Sequence, residues 1–318
     1  MVHKPVSYFT ISPFFLICFL PSQLDYRFYD RSCPNLQMVD RYNVWQAYKN
    51  DTRIAASLLR LHFHDCIVDG CEGSVHLDDT LDFKEEKNAP PNRNSARWFK
   101  VIDSIKADLE RFCPSTVSCA DISTLAGESV GLEAHTALFP YAGEMDWQQS
   151  EQAVLNQLPS PIEPSENITA KFVSKGLDIK DVVVLSGAHT VGFARGFTFS
   201  GRPFNFKGSG NPDPSLNPSF LSNLQNACPG GVSASKLRPL DSVTTYRFDN
   251  VYYKNLMNNT GLLESDQALM TDSRMAALVN FYSMNPMAFS YDFAASMAKS
   301  LGMSVFLLFK LGKLGEDV

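Results

Sequence analysis

The segment Arg60-Leu-His-Phe-His-Asp-Cys66 carries the densest chemistry in the chain. On a helix, Arg60 and His64 are four apart and share a face. An imidazole titrates near neutrality, so His64 can take up and return a proton. A guanidinium beside it can stabilise the negative charge that develops during the transfer. His62 points elsewhere, and its favoured reading is a hydrogen-bonded structural histidine. A rival reading groups His62, His64 and Asp65 as a metal cluster. That pattern suits extended backbone, where alternate residues share a face, and the helical periodicity around it argues against it.

The next stretch, Asp65-Cys-Ile-Val68-Asp-Gly70-Cys-Glu72-Gly-Ser74, crowds hard oxygen donors into a short loop. Calcium takes ~6–8 such oxygens. Asp65, Glu72 and Ser74 can offer side chains, and Val68 and Gly70 can offer carbonyls. Composition alone decides little here, because acidic loops are usually just solvated. The third segment is Leu185-Ser-Gly-Ala-His189-Thr190-Val-Gly192. Small residues around His189 leave room for a planar group, although a packed core histidine is the plainer alternative. Ser186 lies in no G-x-S-x-G elbow, which argues against a serine hydrolase.

Helices must position these groups. Periodicity predicts helices over 35–49 and 53–65, the second with Ile54, Ala55, Leu58, Leu61 and His62 near one side. Ile102, Ile105, Leu109 and Phe112 predict another over 101–112, stopped by Pro114. Residues 119–130 are small and apolar, as in a buried helix. After the breaker run Leu158-Pro-Ser-Pro-Ile-Glu-Pro, helices are expected over 169–175, 179–185, 218–227, 248–258 and 273–301. Val182-Val-Val-Leu185 also has strand propensity. Residues 200–217 read as loop. The economical reading is one mostly helical domain with two lobes.

The chain has 318 residues, 44% hydrophobic and 19% charged, which permits a sizeable core and excludes wholesale disorder. Its formal charge of −6, without a basic run, gives nucleic-acid binding little support. No apolar stretch reaches the ~18 residues of a membrane span. Residues 1–22 read as an export signal, with a polar start at His3 and Lys4, an apolar run from Phe9 to Leu20, and Pro21-Ser22 closing it. Of seven cysteines, Cys18 would leave with that signal. An even remainder in an exported chain suggests disulfides, and six cysteines allow 15 connectivities. The sequons at Asn50, Asn167 and Asn258 add weak support for export.

The chain resembles the secretory plant haem peroxidases of the horseradish peroxidase type, from about Gln23 to Lys299. The segments already quoted carry the resemblance. So do Phe28-Tyr-Asp-Arg-Ser-Cys-Pro, Asn94-Ser-Ala-Arg, Cys113-Pro-Ser-Thr-Val-Ser-Cys-Ala-Asp, Leu158-Pro-Ser-Pro, Phe248-Asp-Asn-Val-Tyr-Tyr and Glu264-Ser-Asp-Gln, all in the family's order. The resemblance implies an all-α haem peroxidase fold over 23–301, two helical lobes with haem b between them, and two Ca²⁺. Residues 302–318 form a divergent tail.

By the same resemblance, His189 is the proximal iron ligand and Asp266 the carboxylate that accepts its other ring N–H. His64 is the distal base, Arg60 its electrostatic partner, and Asn92 the group that orients His64. Phe63 walls the haem edge, and the Pro159 carbonyl helps hold phenolic donors. One calcium matches Asp65, Val68, Gly70, Glu72 and Ser74, with Glu72 where aspartate is usual. The other matches Thr190, Asp241, Thr244, the Arg247 carbonyl and Asp249. The implied reaction reduces H2O2 and oxidises phenols by single electrons. A monomer is expected, secreted to the cell wall or sent to the vacuole.

Departures from the family concern structural support. The resemblance implies the bridges Cys33–Cys113 and Cys66–Cys71. It leaves Cys119 and Cys228 without partners, because Gly196 and the tail lack the expected cysteines. Glu144 stands where an arginine normally meets Asp121. Each absent bridge costs ~2–5 kcal/mol against a total of ~5–15. These departures carry the alternative reading, an inactive or poorly folded relative that at most binds haem.

Overall fold

Helix α2 (Ile54–Asp69) divides its apolar residues between two cores. Ile54, Leu58 and Leu61 face one core, while Leu59, Ile67 and Val68 face the other. The computed structural model describes residues 27–71, 73–79, 84, 86–93, 99–130, 151–227 and 235–301. Around the first core lie α1 (Leu36–Asn50), α3 (Phe99–Phe112) and α4 (Cys119–Val130). Around the second lie α5 (Glu151–Gln157), α6 (Ser165–Ser174), α7 (Ile179–Ser186), α10 (Val251–Met257), α12 (Ser273–Met284) and α13 (Pro286–Leu301). Among the described residues the remaining α-helices are α8 (Gly201–Phe204), α9 (Pro218–Ala227) and α11 (Glu264–Ala268). Two short antiparallel strands, β1 (Phe193–Arg195) and β2 (Leu237–Pro239), pair Ala194 with Arg238. Among the described residues no helix is long and apolar enough to cross a membrane.

The Val182-Val-Val-Leu185 run is helical. A capping box fixes the start of α7: the Asp178 carboxylate accepts the Asp181 N–H at 3.1 Å, and Asp181 returns the favour at 2.8 Å. Burial of all four residues among helices then outweighs β-propensity. The expected helix over 273–301 breaks at Asn285, which adopts φ −125° and ψ 75° ahead of Pro286. A proline disfavours the α conformation in the residue before it but suits the first turn of the next helix. Helix α2 continues four residues past 65, so Asp65 and Val68 lie on helix and not in the loop expected there.

The bridges Cys33–Cys113 and Cys66–Cys71 are present, with Cα separations of 5.5 and 4.0 Å. Cys119 is a free thiol. Cys228, Glu144 and the 302–318 tail lie outside the described residues. Asp121 meets two hydroxyl donors, Tyr29 at 2.5 Å and Ser118 at 2.7 Å, on one oxygen. Within the expected loop 200–217, the buried Arg202 pairs with Asp213 at 2.9 Å. It also donates to the carbonyls of Leu262 and Leu263, both at 3.2 Å, which fixes the approach to α11.

Candidate active site

One short segment holds both chemical groups of α2. Arg60 Nη2 donates to the Pro91 carbonyl at 2.9 Å. One residue on, Asn92 Oδ1 lies 2.5 Å from His64 Nδ1. The Asn92 amide nitrogen donates to the Glu86 carbonyl at 2.9 Å, so its oxygen faces the ring. That network places the His64 proton on Nδ1 and leaves Nε2 with a lone pair. Burial lowers the His64 pKa well below 6.5, the Arg60 charge lowers it further, and the Asn92 bond recovers only part. His64 is therefore neutral at pH 7 and able to accept a proton. Phe63 packs edge-to-face with His64 and against Phe172, with centroids 6.2 and 6.3 Å away.

His62 is fully buried on the α4 side, within 3.5 Å of Thr124 Oγ1 and of the bridged Cys66 sulfur. Burial lowers its pKa to about 4. The two histidines thus leave α2 in different directions, as helical spacing requires.

His189 follows α7 in a tight turn over Gly187–Thr190. The glycines there have steric causes. A Cβ on Gly187 would lie 2.4 Å from the Tyr253 hydroxyl. Gly192 has φ +101°, and a Cβ there would stand 2.9 Å from the Ala56 methyl of α2. His189 Nδ1 lies 2.7 Å from Asp266 Oδ1, and the Tyr252 hydroxyl donates to that same oxygen at 3.0 Å. Burial and the Asp266 charge hold the Tyr252 phenol protonated. At His189, burial and Arg60 work against protonation, but the charge and hydrogen bond of Asp266 prevail and raise the pKa.

The His189 side chain keeps 38% of its surface open, although its carboxylate partner keeps only 4%. Its Nε2 edge is thus the part of the ring available to a ligand. Arg60 sits in reach of one further charge, that of Arg195. Burial and the nearby Arg195 guanidinium lower its pKa to about 10, which still leaves it cationic at pH 7. A guanidinium whose charge reaches an open imidazole makes a donor set suited to an anionic group carrying a metal.

The peroxidase family model matches residues 40–285. Peroxidase 10 of Arabidopsis thaliana is 59% identical over 285 residues, covering 88% of this chain and 81% of that protein. Peroxidase N of Armoracia rusticana is 47% identical over 294 residues, covering 90% and 89%. Peroxidase 15 of Ipomoea batatas is 47% identical over 281 residues, covering 87% and 86%. The chain belongs to the peroxidase family. It is an oxidoreductase that acts on H2O2, and membership implies haem and donor substrates. The all-α expectation holds with it, and nothing found favours the inactive alternative.

The peroxidase brings together most of its expected cation ligands near Thr190. Thr190 and Thr244 hydroxyls lie 3.3 and 3.1 Å from Asp249 Oδ1, and Thr244 lies 3.1 Å from Asp241 Oδ2. Arg247 is tied to this loop by its N–H, 2.9 Å from the Thr244 carbonyl. The other oxygen-rich segment is less complete. Both oxygens of the buried Asp65 accept the Gly73 N–H, and Ser74 Oγ is buried with no hydrogen-bond partner among the described residues. The Val68 carbonyl accepts from Lys175 Nζ. Gly70 adopts φ +117°, and Glu72 lies outside the described residues. Pro159 is half-buried in a turn braced on both sides: Lys171 holds the Leu158 carbonyl at 2.8 Å, and the Ser265 N–H holds that of Pro161 at 3.0 Å.

Sequence reasoning missed Tyr252 and Arg195. The signal for Arg195 was a lone arginine six residues after His189. For Tyr252 there was only an aromatic pair at a helix start, which reads as core.

Proposed function

We propose that the peroxidase holds haem b between α2 and the His189 turn, reduces H2O2 and oxidises small phenols by single electrons. The observation that carries this reading is the pair of histidines with unlike partners, His64 on an amide and His189 on a carboxylate. Nε2 of His189 would be the protein ligand to the iron, and Arg195 would help neutralise the acidic side chains of the cofactor. When bound, haem supplies the metal centre at which peroxide is reduced and donors are oxidised.

The chain supplies the rest. His64 Nε2 accepts a proton from the peroxide and returns it to the oxygen that leaves as water. Arg60 stabilises the negative charge on that oxygen. Asn92 keeps the His64 proton on Nδ1, so Nε2 stays free to act. Asp266 draws on the Nδ1 proton of His189 and makes the ring a stronger donor. Phe63 confines phenols to the cofactor's edge, where the Pro159 carbonyl accepts their hydroxyl. Calcium at Thr190, Asp241, Thr244, Arg247 and Asp249 would brace the residue next to the ligand. A second ion at Asp65, Val68, Gly70, Glu72 and Ser74 would brace the end of α2. The signal-like 1–22 segment and the two bridges support export.

An optical spectrum tests the reading. Purified protein should show a Soret band that shifts when H2O2 is added. His189→Ala should lose the histidine-ligated spectrum. Retention of an unchanged spectrum in that variant would overturn the assignment.

A further inference from the structure

We infer that Tyr252 is a positioning residue that limits how strongly Asp266 draws on the ring of His189. The inference rests on the reading of His189 as the haem ligand. Its basis is the sharing of a single carboxylate oxygen. Asp266 Oδ1 accepts His189 Nδ1 at 2.7 Å and the Tyr252 hydroxyl at 3.0 Å. A donor on a carboxylate oxygen stabilises its charge and lowers its basicity. Two donors on one oxygen therefore compete, and the phenol reduces the pull felt by Nδ1.

The phenol is held where only this role is open to it. Tyr252 is 2% exposed, so no solvent can replace its bond. Its ring stands edge-to-face to His189, with centroids 6.3 Å apart. Helix α10 is fixed just ahead of it, where Asp249 Oδ1 accepts the Val251 N–H at 2.9 Å. The adjacent Tyr253 is equally buried, yet its hydroxyl goes to the Val183 carbonyl at 3.2 Å. One phenol thus addresses the carboxylate and the next addresses backbone.

Tyr252→Phe in the haem-loaded protein should free Asp266 Oδ1 of its second donor and leave the imidazole more electron-rich. The iron–histidine stretching band of the reduced protein should rise in frequency, and the ferric/ferrous midpoint should move negative. A fluorinated tyrosine at position 252 is a stronger donor of nearly unchanged shape and should move both readouts the other way. Tyr253→Phe should move neither. The inference falls if the fluorinated protein matches wild type, or if Tyr253→Phe reproduces the changes of Tyr252→Phe. An iron–histidine band that persists in His189→Ala would instead overturn the ligand assignment beneath it.

Discussion

His64 hangs from α2 and His189 from the turn after α7, and both rings are held through Nδ1. The partners differ in charge. Asn92 offers a neutral carbonyl, while Asp266 offers a carboxylate already shared with Tyr252. Burial acts against protonation at both. The carboxylate reverses it at His189, and the amide does not at His64, where Arg60 adds to the effect. One residue type therefore becomes a neutral proton acceptor in one place and, in the other, the more electron-rich ring proposed to hold the iron. The charge of the hydrogen-bond partner decides between them.

The comparison breaks most sharply at His64. General acid–base action contributes ~10²–10⁴-fold. His64→Leu should slow the peroxide step by that order while the Soret band persists, as stopped-flow mixing with H2O2 would measure. A milder variant, Asn92→Asp, gives the distal ring a carboxylate like that of His189. It should raise the His64 pKa, so that the acid loss of peroxide reactivity appears at higher pH than in wild type. An unmoved pH profile would mean that Asn92 does not set the state of His64.

The other histidine of α2 sharpens the contrast through stability. The folded-state pKa of His62 is about 4, below the 6.5 of the unfolded chain. Between these values the unfolded state binds the extra proton, so stability is complete above pH 6.5 and falls as pH drops toward 4. The loss from this group is on the order of 3 kcal/mol. His62→Leu should flatten the acid branch of stability against pH, measured by denaturant unfolding, without changing the peroxide step at pH 7.

The smallest effect is expected at Thr190, beside His189. Thr190→Val should cost about 1 kcal/mol, the worth of one side-chain hydrogen bond. It should also weaken any stabilisation by Ca²⁺, read as the difference in Tm with and without chelator. If chelation lowers Tm equally in both proteins, Thr190 is not a ligand.

Much of the molecule was legible in the chain because helices are local. The i, i+3, i+4 spacing of Ile102, Ile105 and Leu109 placed α3, and the four-residue step from Arg60 to His64 put both on one face of α2. Punctuation was harder. The apolar pattern across 273–301 ran through Asn285-Pro286, and the local signal of proline proved stronger than the period. Short elements such as α5, α11 and the β1–β2 pair went unread, because a turn or two of backbone carries too little periodicity to announce itself.

The site itself divides the same way. Sequence determined the residue types, the α2 face and the small residues around His189. Motif resemblance supplied their pairing, which no spacing could. Only the tertiary structure decided which oxygen each ring meets, because the partners lie far apart in the chain. Asn92 is 28 residues from His64, and Asp266 is 77 from His189. It also decided that the Arg195 charge reaches Arg60 and that Tyr252 shares the Asp266 oxygen. The physical reason is that a hydrogen bond or a charge pair depends on distances of a few ångströms, and those are set by how α2, α7, α10 and α11 pack around the two cores.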